Sequence, residues 1–344
     1  MTSRVEDKSH TAMSQVQVFR ASLGVFARRN GLTLGIIGVF LLIWLLFILA
    51  RPSVFLKPDI YAAFMMSVPF FGVMALPLTL VVISGEMDLS VGSTMAVGVM
   101  AFTLLFRETN SVILSLVACL LAGFLVGILN GLIVVRIGIP SLIATLGAQF
   151  LWRGVVLVIG DATMHGGGAS LVAARGDPVR EALVGRLGGY LPMQVVWMVL
   201  VGIAMWILLN RHKFGAHVFL VGDNRHSAQL MGVNVDRTRV LVFALVGVAA
   251  AFGGLLSSLE VSYFWPSLGE GYWMQTLAAV FLGGTSVFGG TGTVVGTFVG
   301  CFIIGGLDAG IIAIGAQGMW TQLIFGLIIV LSVAMHAYLR RRME

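Results

Sequence analysis

The chain has 344 residues, of which 58% are hydrophobic and only 10% charged. Soluble domains carry about 25% charged residues, so this composition, with a mean hydropathy of +1.00, excludes an ordinary water-soluble protein and points to one solvated by lipid. The net charge is +6, but the basic residues sit between apolar runs without interleaved aromatics. They read as topology signals and exclude nucleic acid as a partner.

Residues 1–30 are polar, with Glu6, Asp7, Lys8, Arg20, Arg28 and Arg29. They lack an apolar stretch followed by a small-residue cleavage site, so no cleavable signal is expected. A helix needs roughly 20 apolar residues to cross the hydrocarbon, and backbone groups cannot go unpaired there. Apolar runs then follow at 31–50, 61–83, 91–106, 111–135, 140–160, 193–209, 240–259, 273–288, 292–314 and 318–338. They are too continuous for barrel strands, which alternate. The expected fold is an all-α polytopic transmembrane bundle of about ten spans. Pro69 and Pro77 are expected to kink the second span. The third and eighth are short and Gly-rich, so breaks or tilts are expected there. Cys119 and Cys301 lie inside apolar runs and read as buried thiols rather than a disulfide or a metal pair. The histidines are scattered without ligand spacing.

Most Lys and Arg residues fall at 1–30, Arg136, 210–239 and 340–342; on the other side are Arg51, Lys57, Arg107, Arg175, Arg180 and Arg186. This bias places both termini in the cytoplasm and requires an even number of spans. The organisation is a cytoplasmic segment 1–30, a single transmembrane domain 31–338 and a cytoplasmic tail 339–344. Two loops are long. Residues 161–192, outside, carry balanced charges and turn residues. Residues 210–239, inside, contain Asp223 or Asn224 as an N-cap, a short helix from Arg225 to Met231, and Gly232 as its stop. Ala228, Leu230 and Met231 offer that helix an apolar surface, and Arg225, His226 and Gln229 a polar one. It is either an interfacial helix lying on the membrane or a docking helix for a cytoplasmic partner.

At this loop the sequence resembles the permease subunits of bacterial ABC importers for ribose and related monosaccharides. The matching pieces run in order over about residues 60–330. They are Ser84-Gly-Glu-Met-Asp-Leu-Ser-Val-Gly-Ser93, Asn130-Gly-Leu-Ile, Ile139-Pro-Ser-Leu-Ile-Ala-Thr-Leu-Gly147, Arg153-Gly154, Phe214-Gly215, Val221-Gly-Asp-Asn-Arg-His-Ser-Ala-Gln-Leu-Met-Gly-Val233 and Leu282-Gly-Gly-Thr-Ser-Val-Phe-Gly-Gly-Thr-Gly-Thr-Val-Val-Gly-Thr297. Gly85, Asp88, Ser90 and Gly92 belong to the first piece. This chain has Glu86-Met87 where the family often has Gly-Ile, and Trp273-Met-Gln-Thr-Leu277 follows Gly269-Glu-Gly-Tyr272 where acidic residues are common. The resemblance implies a type II-like ABC importer permease in the inner membrane. It would pair with a second permease copy or paralogue, cytoplasmic ATP-binding subunits and a periplasmic sugar-binding protein. It would bind no cofactor itself, ATP-Mg being held by the partner ATPase. Gly222, Asp223, Asn224, Arg225, Ala228 and Gly232 would form the coupling segment. A related branch carries branched-chain amino acids.

Polar groups inside lipid are costly and need a reason. Gln149 and Arg153 share a face of the fifth span and suit sugar hydroxyls, or else Arg153 pairs with a carboxylate or carbonyls to fix packing. Asp308 is either a pathway or ion site or a packing group. Asn130, Thr285 and Ser286 are further candidates for lining a pathway. Glu86 and Asp88 form a carboxylate pair. Asp88 is expected to cap Ser90, Val91 and Gly92, with ATPase contact or acid–base chemistry as alternatives. The Gly-rich run 283–300 lacks the Gly-Lys-Ser/Thr ending of a phosphate loop, so its small residues are expected to serve close helix packing. Two rivals to the importer remain: an ion-coupled secondary transporter, with Asp308 as its coupling site, and an intramembrane enzyme.

Overall fold

The computed structural model describes residues 31–165, 167–313 and 319–341; the polar segment 1–30 and the last residues of the tail lie outside these. Most of the described residues are helical. The main helices are α1 (Gly31–Ala50), α2 (Pro58–Ile83), α3 (Val91–Thr109), α4 (Val112–Leu132), α5 (Ser141–Met164), α6 (Met193–Asn210), α7 (Lys213–Asp223), α8 (Arg225–Leu230), α9 (Val235–Val261), α10 (Tyr272–Leu282), α11 (Val294–Ala313) and α12 (Met319–Arg341). Each apolar run read from the sequence contains most of one of these helices. Among the described residues, seven of them (α2 to α6, α9 and α11) are long and apolar enough to cross a membrane. Shorter apolar stretches occupy Leu34–Ala50, Tyr272–Leu282 and Met319–Ala334.

Local chemistry sets the ends. Pro58 opens α2 at a position where its missing N–H costs nothing. Ser111 caps α4 and Asn234 caps α9 through their side-chain oxygens. The helical assignment of α2 runs unbroken through Pro69 and Pro77. The third span is likewise one continuous helix rather than a broken one. The eighth differs from expectation in the other direction. Its helix stops at Leu282, because Gly284, Gly289 and Gly290 take positive φ and turn the chain. Eleven helical residues rise only about 16 Å, half of a bilayer core.

The helices form an inner and an outer layer. α2, α3 and α9 are buried over most of their length, whereas α4, α5 and α6 bury only a minority and present leucine, isoleucine, valine and phenylalanine outward. That pattern suits a lipid-facing wall. α4 and α9 pack most extensively. A Cβ on Gly123 would strike the Gly247 carbonyl, one on Gly127 that of Phe243, and one on Gly247 that of Gly123. Small residues at this spacing bring the two backbones together. α11 docks α1 similarly, with Gly306 against Trp44 and Gly310 against Phe47.

The stretch read as the 161–192 loop is ordered locally. α5 extends into it as far as Met164. Ala169–Ser170 pairs antiparallel with Tyr263–Phe264, Asp177 caps a short helix Pro178–Val184, and Arg186–Leu187 forms a hairpin with Leu191–Pro192. The 210–239 stretch is not a loop with one helix but two helices, because α7 precedes α8.

Candidate functional site

The sequence pieces that run in order along the chain meet in space. Between α2 and α3 the backbone is non-helical and largely buried from Gly85 to Leu89. Such backbone must find partners away from water. The Met87 amide donates to Ser141 Oγ (3.0 Å) and the Leu89 amide to Thr145 Oγ1 (3.1 Å), both at the start of α5. Asp88 Oδ1 accepts from the Ser90 amide (2.8 Å) and Ser90 Oγ (2.6 Å). Asp88 therefore closes a turn onto Ser90, with no such bond to the Val91 or Gly92 amides. Burial pushes the Asp88 carboxyl above the usual carboxylate range, and the two Ser90 bonds oppose the shift.

The chain of bonds continues outward. Asn130 Nδ2 donates to Ser90 Oγ (2.7 Å), and Trp152 Nε1 donates to Asn130 Oδ1 (2.9 Å). Asn130 thus ties α3, α4 and α5 together and is buried. At the start of α3, Gly92 lies against the irregular segment 265–271, since a Cβ there would strike the Gly269 carbonyl. Arg153 closes this junction: it donates to the Pro266 carbonyl, to Leu268 O (2.8 Å) and to Gly92 O (3.3 Å). A guanidinium in mid-helix satisfies carbonyls that no ladder can reach. Gln149, on the same face, has a buried Oε1 with no hydrogen-bond partner among the described residues.

A second junction lies where α2 ends. Glu86, with 2% of its side chain exposed, accepts through one oxygen from Arg225 Nη2 (2.6 Å) and Arg239 Nε (2.5 Å). The carboxylate is enclosed by cations rather than presented to a partner. Gly222 comes so close to α2 and the 283–293 turns that a Cβ would overlap the Ile83 carbonyl and the Gly290 amide. The Gly290 amide itself donates to Ile83 O (2.8 Å), and the Asp223 backbone lies beside Gly290. Thr285 is fully buried, and Ser286 bonds within its own turn, its amide to Thr291 O and its Oγ from the Phe288 amide. Gly283, Gly296 and Gly300 make backbone-close contacts between α10 and α11.

α8 is held by this junction. Asn224 Oδ1 accepts from the Ser227 amide (2.9 Å), and Gly232 turns the chain at φ +82°. The apolar residues of α8 divide: Ala228 joins Val221, Val233 and Val235 in a small separate core, while Leu230 (77% exposed) and Met231 (67%) stand outward.

A third feature opens between α2, α10 and α11, in the half of α2 nearer Pro58. It is a cavity of about 260 Å³ lined by Ser67, Phe71, Tyr272, Gln275 and Asp308 among others. Asp308 accepts from Thr321 Oγ1 (3.2 Å) and Gln275 Nε2 (3.4 Å).

Ser141, Thr145 and Trp152 have structural roles that the sequence reading passed over, although the first two stand inside the Ile139–Gly147 piece. Arg239 and Gln275 were also passed over; neither has a local pattern that marks it.

A bundle of long apolar helices whose irregular connecting segments are buried and tied by polar side chains has the build of a membrane transport protein of the permease class. The family model described as branched-chain amino acid transport system / permease component matches residues 60–333. The ribose import permease RbsC of Escherichia coli K12 is 32% identical over 272 residues, covering 76% of this chain and 80% of the relative. The ribose import permease RbsC of Bacillus subtilis 168 is 30% identical over 300 residues, covering 86% and 90%. The autoinducer 2 import permease LsrC of Enterobacter sp. 638 is 34% identical over 268 residues, covering 78% and 76%. No solved structure matches significantly. The chain belongs to this family of transport-system permeases.

Proposed function

We propose that the chain is the permease subunit of an ATP-binding-cassette importer that carries a monosaccharide or related polyol across the bacterial inner membrane. The names of its relatives, which import ribose and autoinducer 2, support the substrate class. It spans the bilayer about ten times with both termini in the cytoplasm: α1 and α12 add to the seven long spans, and α10 makes the remaining crossing together with the irregular segment 265–271 that leads into it. Two such permeases, identical or paralogous, form the pathway. A periplasmic binding protein delivers the sugar, and cytoplasmic ATPases hydrolyse ATP-Mg. This chain does no covalent chemistry and holds no cofactor.

The observation that carries the coupling role is the construction of α8. It is a capped helix with exposed Leu230 and Met231, joined through Arg225 and Glu86 to the end of α2. An ATPase seated on it moves α2 and α3 directly, shifting the balance between two access states. Gly222, Asp223, Asn224, Arg225, Ala228 and Gly232 build this lever. Asn130, Gln149, Arg153, Thr285, Ser286 and Asp308 frame the path. Gly85, Asp88, Ser90 and Gly92 shape the segment that links the two.

The test is ATP-driven uptake of radiolabelled D-ribose into proteoliposomes holding the permease, its ATPase and its binding protein. Gly232→Pro and Asn224→Lys are expected to leave insertion intact and to uncouple hydrolysis from uptake. Wild-type uptake in both variants overturns the lever. Uptake by the permease alone, driven by an ion gradient, overturns the importer reading.

A further inference from the structure

The cavity between α2, α10 and α11 has a lopsided chemistry. Its one charged lining group is Asp308, and Asp308, Gln275 and Ser67 each bring hydrogen-bond acceptors with capacity to spare. A carboxylate offers about four lone-pair sites, and Asp308 uses one on each oxygen, to Thr321 and Gln275. Gln275 gives one amide N–H to Asp308, while its Oε1 is buried with no partner among the described residues. Ser67 Oγ, also in the lining, gives its proton to Ala63 O (2.9 Å) and keeps its lone pairs for accepting. A buried acceptor without a donor costs free energy, so the site is built for something that brings donors. Phe71 and Tyr272 supply the apolar wall that a sugar's C–H face needs. The volume of about 260 Å³ is below the roughly 300–1,000 Å³ of drug-sized ligands, which suits one small molecule.

We infer that this cavity is a subsite for a neutral polyol, in which adjacent hydroxyls donate to Asp308 and Gln275 Oε1 while the carbon skeleton lies on Tyr272 and Phe71. A bare metal cation fits less well. Hard cations take six or more oxygens, several of them charged, and here a single carboxylate lines the space with an amide N–H already on it. The inference deepens the importer reading and rests on it: the permease itself, and not only a delivery protein, would hold the sugar on its way through.

Ala63 also lines the cavity and is exposed, and the native Cys119 and Cys301 are buried. Ala63→Cys therefore reports access. The rate of its modification by a methanethiosulfonate reagent is measured in the full complex, with D-ribose, ribitol or ammonium chloride added. A polyol site predicts that ribose or ribitol slows labelling in a saturable way, by about tenfold at about ten times its apparent Kd. The concentration needed should rise about tenfold or more in Asp308→Asn or Gln275→Leu backgrounds. Labelling unchanged by either polyol, while ATP-driven ribose uptake persists, overturns the subsite and leaves the importer standing. Protection by ammonium chloride but not by the polyols overturns it in favour of a cation site. Saturable polyol protection without ATP-driven uptake upholds the subsite and sinks the importer reading.

Discussion

Arg225 and Arg239 share one carboxylate oxygen of Glu86, yet they should contribute unequally. Arg239 is 12% exposed and Glu86 2%, so their pair is near the buried limit. Breaking such a pair strands a charge and costs about 3 kcal/mol or more. Arg225 is 47% exposed; water and salt screen its bond, which contributes at most about 1 kcal/mol. Arg239→Ala is therefore expected to destabilise the permease by about 3 kcal/mol and Arg225→Ala by about 1 kcal/mol or less. Glu86→Gln keeps an acceptor but strands the Arg239 charge, and so should cost at least as much as Arg239→Ala. The measurement is the folded fraction after denaturant titration in detergent micelles, followed by gel filtration. The two arginines should separate again in salt, where only the Arg225 contribution fades. If Arg225→Ala costs as much as Arg239→Ala, burial does not set the strength of this cluster and the reasoning is refuted.

Arg153→Ala leaves the carbonyls of Pro266, Leu268 and Gly92 without their donor. At about 1–3 kcal/mol for each stranded group, folded yield should fall together with transport; a variant with normal yield and no transport would show that Arg153 acts on the substrate instead. Asp88 should give a pH signature. Its folded carboxyl holds its proton above the usual range, whereas the unfolded one releases it near about 3.9. Its contribution is then full below that value and is lost as pH rises through the folded pKa. Asp88→Asn keeps the oxygen that accepts from Ser90 and should raise stability at neutral pH while flattening the decline from acid to neutral. Lower stability at neutral pH would show that the carboxylate is stabilised there.

What the sequence revealed was whatever is written locally. Uninterrupted apolar runs gave the helices, and Asn224 and Gly232 announced the ends of α8 because caps and left-handed glycines act within a few residues. α7 stayed hidden because its eleven residues mix His217 and Asp223 with Val218 and Val221 in a stretch too short and polar to read as a span. The eighth span was drawn too long because Val287 and Phe288 kept the run apolar past glycines that turn the backbone. The site was legible as motif pieces but not as a geometry. Glu86 meets arginines 139 and 153 residues away, and Arg153 meets carbonyls, which carry no side-chain signature at all. Hydrogen bonds to main chain far away along the chain are invisible in a single sequence.

The glycine seam between α4 and α9 has a mechanical consequence. Gly123, Gly127 and Gly247 interlock backbone against backbone, with no side chains between them to swing aside. Sliding the pair by one turn would put Phe243 or Ala251 where Gly247 sits, a place where even a Cβ strikes the Gly123 carbonyl, so the pair has one permitted register and resists shear. α4 and α9 must therefore travel as a single rod. Any rearrangement during the transport cycle is left to seams padded with flexible side chains, such as the one where Met198 of α6 covers Gly72 of α2.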